Sequence, residues 1–257
     1  MVKLSEIIGF LNETAPPHLA ESYDNVGLLV EGENENIKKV LISLDTDVSV
    51  VNEAKEKGCD LVVSHHPLIF KPMKRVAKED AVFSLIKNNI SLYAMHTNYD
   101  AALGGLCDVL AEKIADFEAS FPFDENEGEG IGRIFELKEE ISLSAFAENV
   151  KKALGLDFIR VVGKEDMAIK KVALCNGGGG DLTIDALVKG ADLYISGDFK
   201  YHHARFAFEN NKALMEITHY DAEILFIDAV AGLLENEFGN EIEVVKAETN
   251  VNPWSVL

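Results

Sequence analysis

The sequence is poor in the features that staple or anchor a small exported protein. Its three cysteines, Cys59, Cys107 and Cys175, are odd in number and far apart. They make no disulfide framework and, lacking a C-x-x-C pair, no zinc knuckle. Each is expected to fill space in a core. No stretch approaches the roughly 20 apolar residues of a membrane helix. The opening MVKLSEIIGFLNETAPPHLA carries acidic residues where a secretory signal keeps an unbroken apolar run. A soluble, cytoplasmic protein with no membrane partner is the expectation. Basic residues are also scarce, 24 Lys and Arg against 44 Asp and Glu, for a formal charge of −20. That balance repels phosphate chains, and no Lys/Arg cluster offsets it, so no nucleic acid is expected as a partner. An anionic small molecule can still bind beside metal ions.

What is present is ordinary globular composition, 47% apolar and 26% charged, in 257 residues, enough for one large domain or two lobes. One unit is written twice. KVLISLDTDVSVVNEAKEKGCDLVVSHH from Lys39 and KVALCNGGGGDLTIDALVKGADLYISGD from Lys171 align without a gap and share Lys, Val, Ala, Lys, Gly, Asp, Leu and Ser. Each reads as an apolar strand, a polar turn, an amphipathic helix ended by Gly58 or Gly190, and a second apolar strand. The fold class expected is α/β, two lobes related by this internal βαβ duplication. In each half a helix ending at an asparagine pair leads to a further strand, near Ile90 and near Lys212. Between the halves, the acidic, glycine-rich FDENEGEGIGR (Phe123 to Arg133) reads as a lobe boundary.

Parallel sheets bind ligands beyond the carboxyl ends of their strands, and the chemistry-bearing residues fall there. Leu61-Val62-Val63 runs into His65-His66-Pro67, the strand from Ile90 runs into His96 and Asp100, and Ala213 to Ile217 runs into His219 and Glu223. Asp45 ends an earlier strand in the same way. Adjacent strand residues point to opposite faces, but the chain turns at Pro67, so both imidazoles can converge on neighbouring metals. His219 and Glu223, four apart, share a face of a helix. Asp100 adds a carboxylate able to bridge two cations. His65, His66, Asp100, His219 and Glu223 therefore read as a two-metal site. Three imidazoles and two carboxylates suit two divalent ions of zinc, iron or manganese, and the donor set does not choose among them. The plain alternative for each histidine alone is a hydrogen-bonded core or surface residue. The run Asn176-Gly177-Gly178-Gly179-Gly180-Asp181 is neither G-x-G-x-x-G nor a P-loop; it serves either as a phosphate cradle or as a tight strand–helix turn in close packing. Asp24-Asn25-Val26-Gly27 reads as a turn. His202, beyond the strand end at Asp198, is a pocket candidate.

SYDNVGLLVEG, SHHPLIFKP, HTNYDAALGG, SGDFKYHHA, HYDAE and the late Asn252-Pro253 together resemble the NIF-three-like family, also filed as GTP cyclohydrolase I type 2 homologues. The resemblance runs over nearly the whole chain. It implies two lobes, 1–122 with 218–257 and 123–217, a dinuclear metal site in the cleft between them, and a ring-shaped homohexamer. Carried over by position, the metal ligands are again His65, His66, Asp100, His219 and Glu223, and His96 and His202 line the cleft, where either can transfer protons. Tyr23, Tyr99 and Thr218 stand where the family usually has Trp, Leu and Gly. The family name implies a metal-dependent hydrolase opening the ring of a guanine nucleotide. A metal carrier or regulatory protein with a non-catalytic site is the alternative.

Overall fold

The computed structural model describes residues 1–126, 129–249 and 252–255 of a mixed α/β chain. It divides into two compact units, Met1–Tyr99 with Phe226–Leu257, and Asp100–Leu225. The stretch from Phe123 to Arg133 belongs to the second unit, with residues 127 and 128 outside the described residues. Among the described residues, no helix is long and apolar enough to cross a membrane.

The first unit is built on a five-stranded sheet in the order Glu243–Lys246, Lys39–Ser43, Leu61–Ser64, Ser91–Ala94, Gly27–Val30. The first four strands run parallel and the last antiparallel. The strands Leu61–Ser64 and Ser91–Ala94 are buried at every position, as expected where helices cover both faces of a parallel sheet. The crossover helix Val48–Lys57 starts at Asp47, whose side chain accepts from the Val50 amide, and stops at Gly58 in the left-handed conformation (φ 70°). Its Val50, Val51 and Ala54 pack with Leu41, Val62, Leu85 and Leu92. The chain leaving Glu243–Lys246 is held by Glu53, which accepts from the Glu248 and Thr249 amides at 2.9 and 3.0 Å and from Lys57 Nζ at 2.7 Å. Burial alone pushes the Glu53 carboxyl up, but the Lys57 and Thr249 hydrogen bonds outweigh it and hold the group at about 2.

The second unit carries a six-stranded sheet in the order Arg160–Val162, Ala213–Glu216, Leu193–Ser196, Ala168–Leu174, Arg133–Ser142, Phe117–Phe121. The three middle strands from Ala213–Glu216 to Ala168–Leu174 are parallel, and the flanking pairs are antiparallel. Alternation sorts its core into two layers. Val172, Leu174, Leu193, Ile195, Ala213 and Met215 meet helices Leu106–Ile114 and Leu143–Leu154. Ala173, Tyr194 and Leu214 meet Ala186 and Ala207, from helices Thr183–Val188 and Tyr201–Glu209. Ser142 caps the helix Leu143–Leu154 by accepting from the Ala145 amide.

The two strand–helix–strand runs agree in detail. Val40 pairs with Leu61 and Val172 with Leu193, positions that correspond when Lys39 is set on Lys171. Asp60 accepts from the amides of Lys38 and Lys39, and Asp192 from those of Lys170 and Lys171. The asparagine pairs also match: Asn89 and Asn211 both sit at positive φ, 57° and 52°, just before their strands.

Arg133 is fully buried in the second unit and spends its guanidinium on the chain around it. It forks onto Asp108 at 2.7 and 2.9 Å and reaches the carbonyls of Ala101 and Ala102 at 3.1 and 2.6 Å, and of Gly130 and Gly132 at 3.0 and 2.8 Å. Asp100 is thereby followed directly by two anchored carbonyls. Removing one member of a buried pair strands the other charge, at a cost of about 3–5 kcal/mol. Arg133→Ala is expected to lose that much in urea unfolding. Arg133→Met with Asp108→Leu should recover most of it.

The Glu53 clasp makes a second expectation. A carboxyl lowered by folding contributes fully above its unfolded value of about 4.3, and loses that contribution as pH falls towards 2. Hydrogen exchange at Glu248 and Thr249, taken relative to its intrinsic rate at each pH, should therefore accelerate below about pH 4. In Glu53→Gln it should already be fast at pH 7.

Candidate metal centre

In the first unit, three imidazoles meet beyond the carboxyl ends of Leu61–Ser64 and Ser91–Ala94. The His65 and His66 amides continue the ladder, donating to Ser43 O at 3.2 Å and Leu44 O at 2.9 Å. The chain then turns, and the Ser64 hydroxyl donates to the His66 carbonyl at 3.0 Å. The His65 ring is fully buried, and its Nδ1 lies 2.8 Å from the Met95 carbonyl. A carbonyl only accepts, so Nδ1 carries the proton and the lone pair sits on Nε2. His66 Nδ1 lies 2.8 Å from Asp45 Oδ1, and His96 Nδ1 lies 2.9 Å from Asp24 Oδ2. The His65 ring centroid is 5.1 Å from both the His66 and His96 centroids. One ligand atom from each ring lies within 4.8 Å of the others.

Asp24, read from sequence as part of a turn, is the anchor of His96. It also takes the Thr97 amide at 3.1 Å and the Thr97 hydroxyl at 2.5 Å. Burial pushes its carboxyl up, yet the hydrogen bonds from His96 and Thr97 prevail and hold it at about 2. The contact joins residues 72 positions apart, and no local pattern announces it.

In the second unit, His219 opens the short helix His219–Glu223. Thr218, the departure from the family's glycine, is its N-cap and accepts from the Asp221 amide at 3.2 Å. The four-residue spacing brings Glu223 Oε2 to 2.9 Å from His219 Nε2. The other nitrogen, Nδ1, lies 2.8 Å from Asp198 Oδ2. Glu223 is buried, and its hydrogen bond leads the causes that push His219 up to about 9, against burial and with Asp198 assisting. These surroundings favour positive charge, which a cation also supplies. Asp100, buried as well, receives Asn176 Nδ2 on Oδ1 at 2.8 Å.

Three of the four glycines here pack closely. Gly177 has φ +60°, and a Cβ there would lie 1.9 Å from Glu223 Oε1 and 3.3 Å from His219 Nε2. Cβ atoms at Gly179 and Gly180 would meet Ser196 Oγ at 2.7 Å and the His203 ring at 3.0 Å. His202 is exposed, its ring edge-on to Tyr201. His203, not singled out from sequence, is the more buried neighbour and accepts the Lys200 amide on Nδ1 at 3.2 Å.

The residues present fit metal ions. In the first unit, imidazoles anchored at Nδ1 leave Nε2 as the donor, the arrangement by which outer partners orient metal-binding histidines. The second unit supplies buried carboxylates and a histidine in an anionic setting. No thiol is among these donors, which suits zinc, iron or manganese.

A family model described as Duf34/NIF3 (NGG1p interacting factor 3) matches residues 2–253. A Clostridium perfringens protein named GTP cyclohydrolase 1 type 2 homolog is 35% identical over 263 residues, with 100% of each chain covered. A Campylobacter jejuni protein of the same name is 38% identical over 241 residues, covering 91% of this chain and 93% of its own. Among solved structures, a Staphylococcus aureus hypothetical protein aligns with a TM-score of 0.91 at 29% identity, covering 99% of each chain.

Gly177→Ala tests the close approach around Glu223. The left-handed backbone alone costs an L-residue about 1–2 kcal/mol, and the new methyl must displace Glu223. Expected is a lower unfolding midpoint, read by urea denaturation, with a loss of at least that size.

Proposed function

The chain belongs to the Duf34/NIF3 family, and from that membership we propose that it is a dinuclear metal-binding protein acting as a metal-dependent hydrolase. In this reading His65, His66, Asp100, His219 and Glu223 hold two divalent ions of zinc, iron or manganese. The observation that carries it is the anchoring of His65, His66 and His96 at Nδ1, with their ligand atoms within 4.8 Å of one another. When bound, paired ions supply Lewis acidity and a water activated near neutral pH. The protein's own part is orientation and proton movement. Asp45 and Asp24 hold His66 and His96 in place, and His96, half-buried and paired to an ionised carboxylate, is the residue proposed to move a proton. His202 is the second candidate for that role.

The substrate proposed is a small anion, a nucleotide being one such class. Lys200 is paired with Asp181, and Arg205 with Glu209. Lys71, Lys74 and Arg75, exposed on the segment after Pro67, are the better candidates to offset its charge. Burial of His65, Asp100 and Glu223 favours the second reading, a metal carrier or regulatory protein whose ions are closed off from substrate. The matching registers and Asp60/Asp192 contacts support descent of the two sheets from one duplicated βαβ plan. A ring-shaped homohexamer completes the proposal; light scattering that returned a single-chain mass would remove it.

Protein purified without chelator should carry close to two metal ions per chain by elemental analysis. Asp100→Asn, which keeps the shape and removes the charge, should empty at least one position while circular dichroism stays that of the wild type. Turnover of any nucleotide by the loaded wild type, absent in Asp100→Asn, supports the hydrolase. Stoichiometric metal without turnover across a nucleotide panel favours the carrier.

A further inference from the structure

One buried polar side chain of the second unit serves neither a helix cap nor a strand ladder. Asn176 follows the strand Ala168–Leu174 and is 4% exposed. Its Oδ1 accepts from the Cys107 thiol at 2.6 Å, and its Nδ2 donates to Asp100 Oδ1 at 2.8 Å. Cys107 is fully buried and Asp100 is 5% exposed. The amide therefore sits in a three-residue polar chain inside a core. Such a chain strengthens the bonds it contains and penalises heavily any that are broken.

The order of the chain settles the amide's orientation. Turned over, its carbonyl oxygen would face the Asp100 carboxylate, two acceptors in contact without a proton. As placed, the thiol proton satisfies Oδ1 and the amide proton satisfies Asp100. The next residue, Gly177, has no side chain where a Cβ would strike Glu223 Oε1 at 1.9 Å. Two adjacent residues at one strand end thus govern two buried carboxylates, Asn176 by donating a hydrogen bond and Gly177 by leaving room.

We propose that Asn176 is a positioning residue for metal binding, holding Asp100 at Oδ1 so that its other oxygen is presented to the cation in a set direction, with Cys107 locking the amide. The inference rests on the reading of Asp100 as a metal ligand. Losing this donor removes one of the contacts that orient the carboxylate before an ion binds. Outer partners of metal ligands typically change affinity by about 10–100-fold.

The test uses the full-length protein stripped with chelator and titrated with zinc against a chromophoric competitor, alongside thermal unfolding of the stripped form. Asn176→Leu keeps the volume and removes the donor. Asn176→Ser keeps a polar group but is too short to reach Asp100, and serves if the leucine variant does not fold. Either is expected to weaken zinc binding about 10–100-fold, and to lower the stripped midpoint as well, because the buried chain is broken. Cys107→Ser, which keeps a donor to Oδ1, should bind as the wild type does. Added to Asp100→Asn, the Asn176 substitution should cost no further affinity, because it acts through a carboxylate already gone. Wild-type affinity in the Asn176 variants, with only the stripped midpoint lowered, overturns the inference and leaves the metal reading standing. A wild type that holds no stoichiometric zinc overturns both.

Discussion

An imidazole has two nitrogens, and a neutral ring can give one to the protein and one to a ligand. Much of the candidate site follows from how that choice is made. His65 spends Nδ1 on the Met95 carbonyl, His66 on Asp45, His96 on Asp24 and His219 on Asp198. Each partner is an acceptor, so Nδ1 holds a proton. In His65, His66 and His96 this leaves Nε2 as the atom to offer a ligand, whereas His219 Nε2 meets Glu223 Oε2 at 2.9 Å. The acceptors lie 30, 21, 72 and 21 positions away in the chain. Only a folded sheet brings them there, and the orientation of these rings is thus a property of the parallel strands and not of the motifs that contain the histidines.

The strands themselves were legible. Runs such as Leu61-Val62-Val63 are short, apolar and bounded by glycine and histidine, and a parallel strand covered on both faces has no other way to look. The left-handed stop at Gly58 obeys a local rule, a glycine closing a helix. So does the meeting of His219 with Glu223, since four residues of helix place them side by side. Asp100 was singled out by its place beyond the strand from Ile90, and the family resemblance pointed to the same residue.

What composition suggested between residues 123 and 133 depended on contacts it does not encode. Arg133 looks like the end of a polar linker, yet it is fully buried and ties together Asp108 and four carbonyls. Asp100 is tied to Asn176 and is followed by two carbonyls held by Arg133, so it groups with the second unit although it stands one residue beyond the first. Asp24 passed for a turn residue because its turn and its grip on His96 use the same side chain. Its Oδ1 accepts from the Asn25 amide, the turn's own hydrogen bond, and its Oδ2 from His96 and Thr97.

The glycine run shows how a local signal can be correct and still incomplete. Four glycines before a helix satisfy the expectation of a tight strand–helix turn, and of a phosphate cradle equally well. Packing supplies a reason for glycine that holds under either reading. Side chains crowd the space where Cβ atoms would stand at three of the four: Glu223 and His219 against Gly177, Ser196 and Tyr194 against Gly179, and His203 against Gly180. The contacts under 3.0 Å at Gly177 and Gly179 give the turn reason to exclude larger residues at those two positions. The demand for glycine thus comes from the carboxylate and imidazoles it accommodates. The same strand end that carries Asn176 towards Asp100 is bare at the next residue for Glu223, so a donor and a void, one residue apart, are two answers to the same problem of holding buried negative charge in a fixed place.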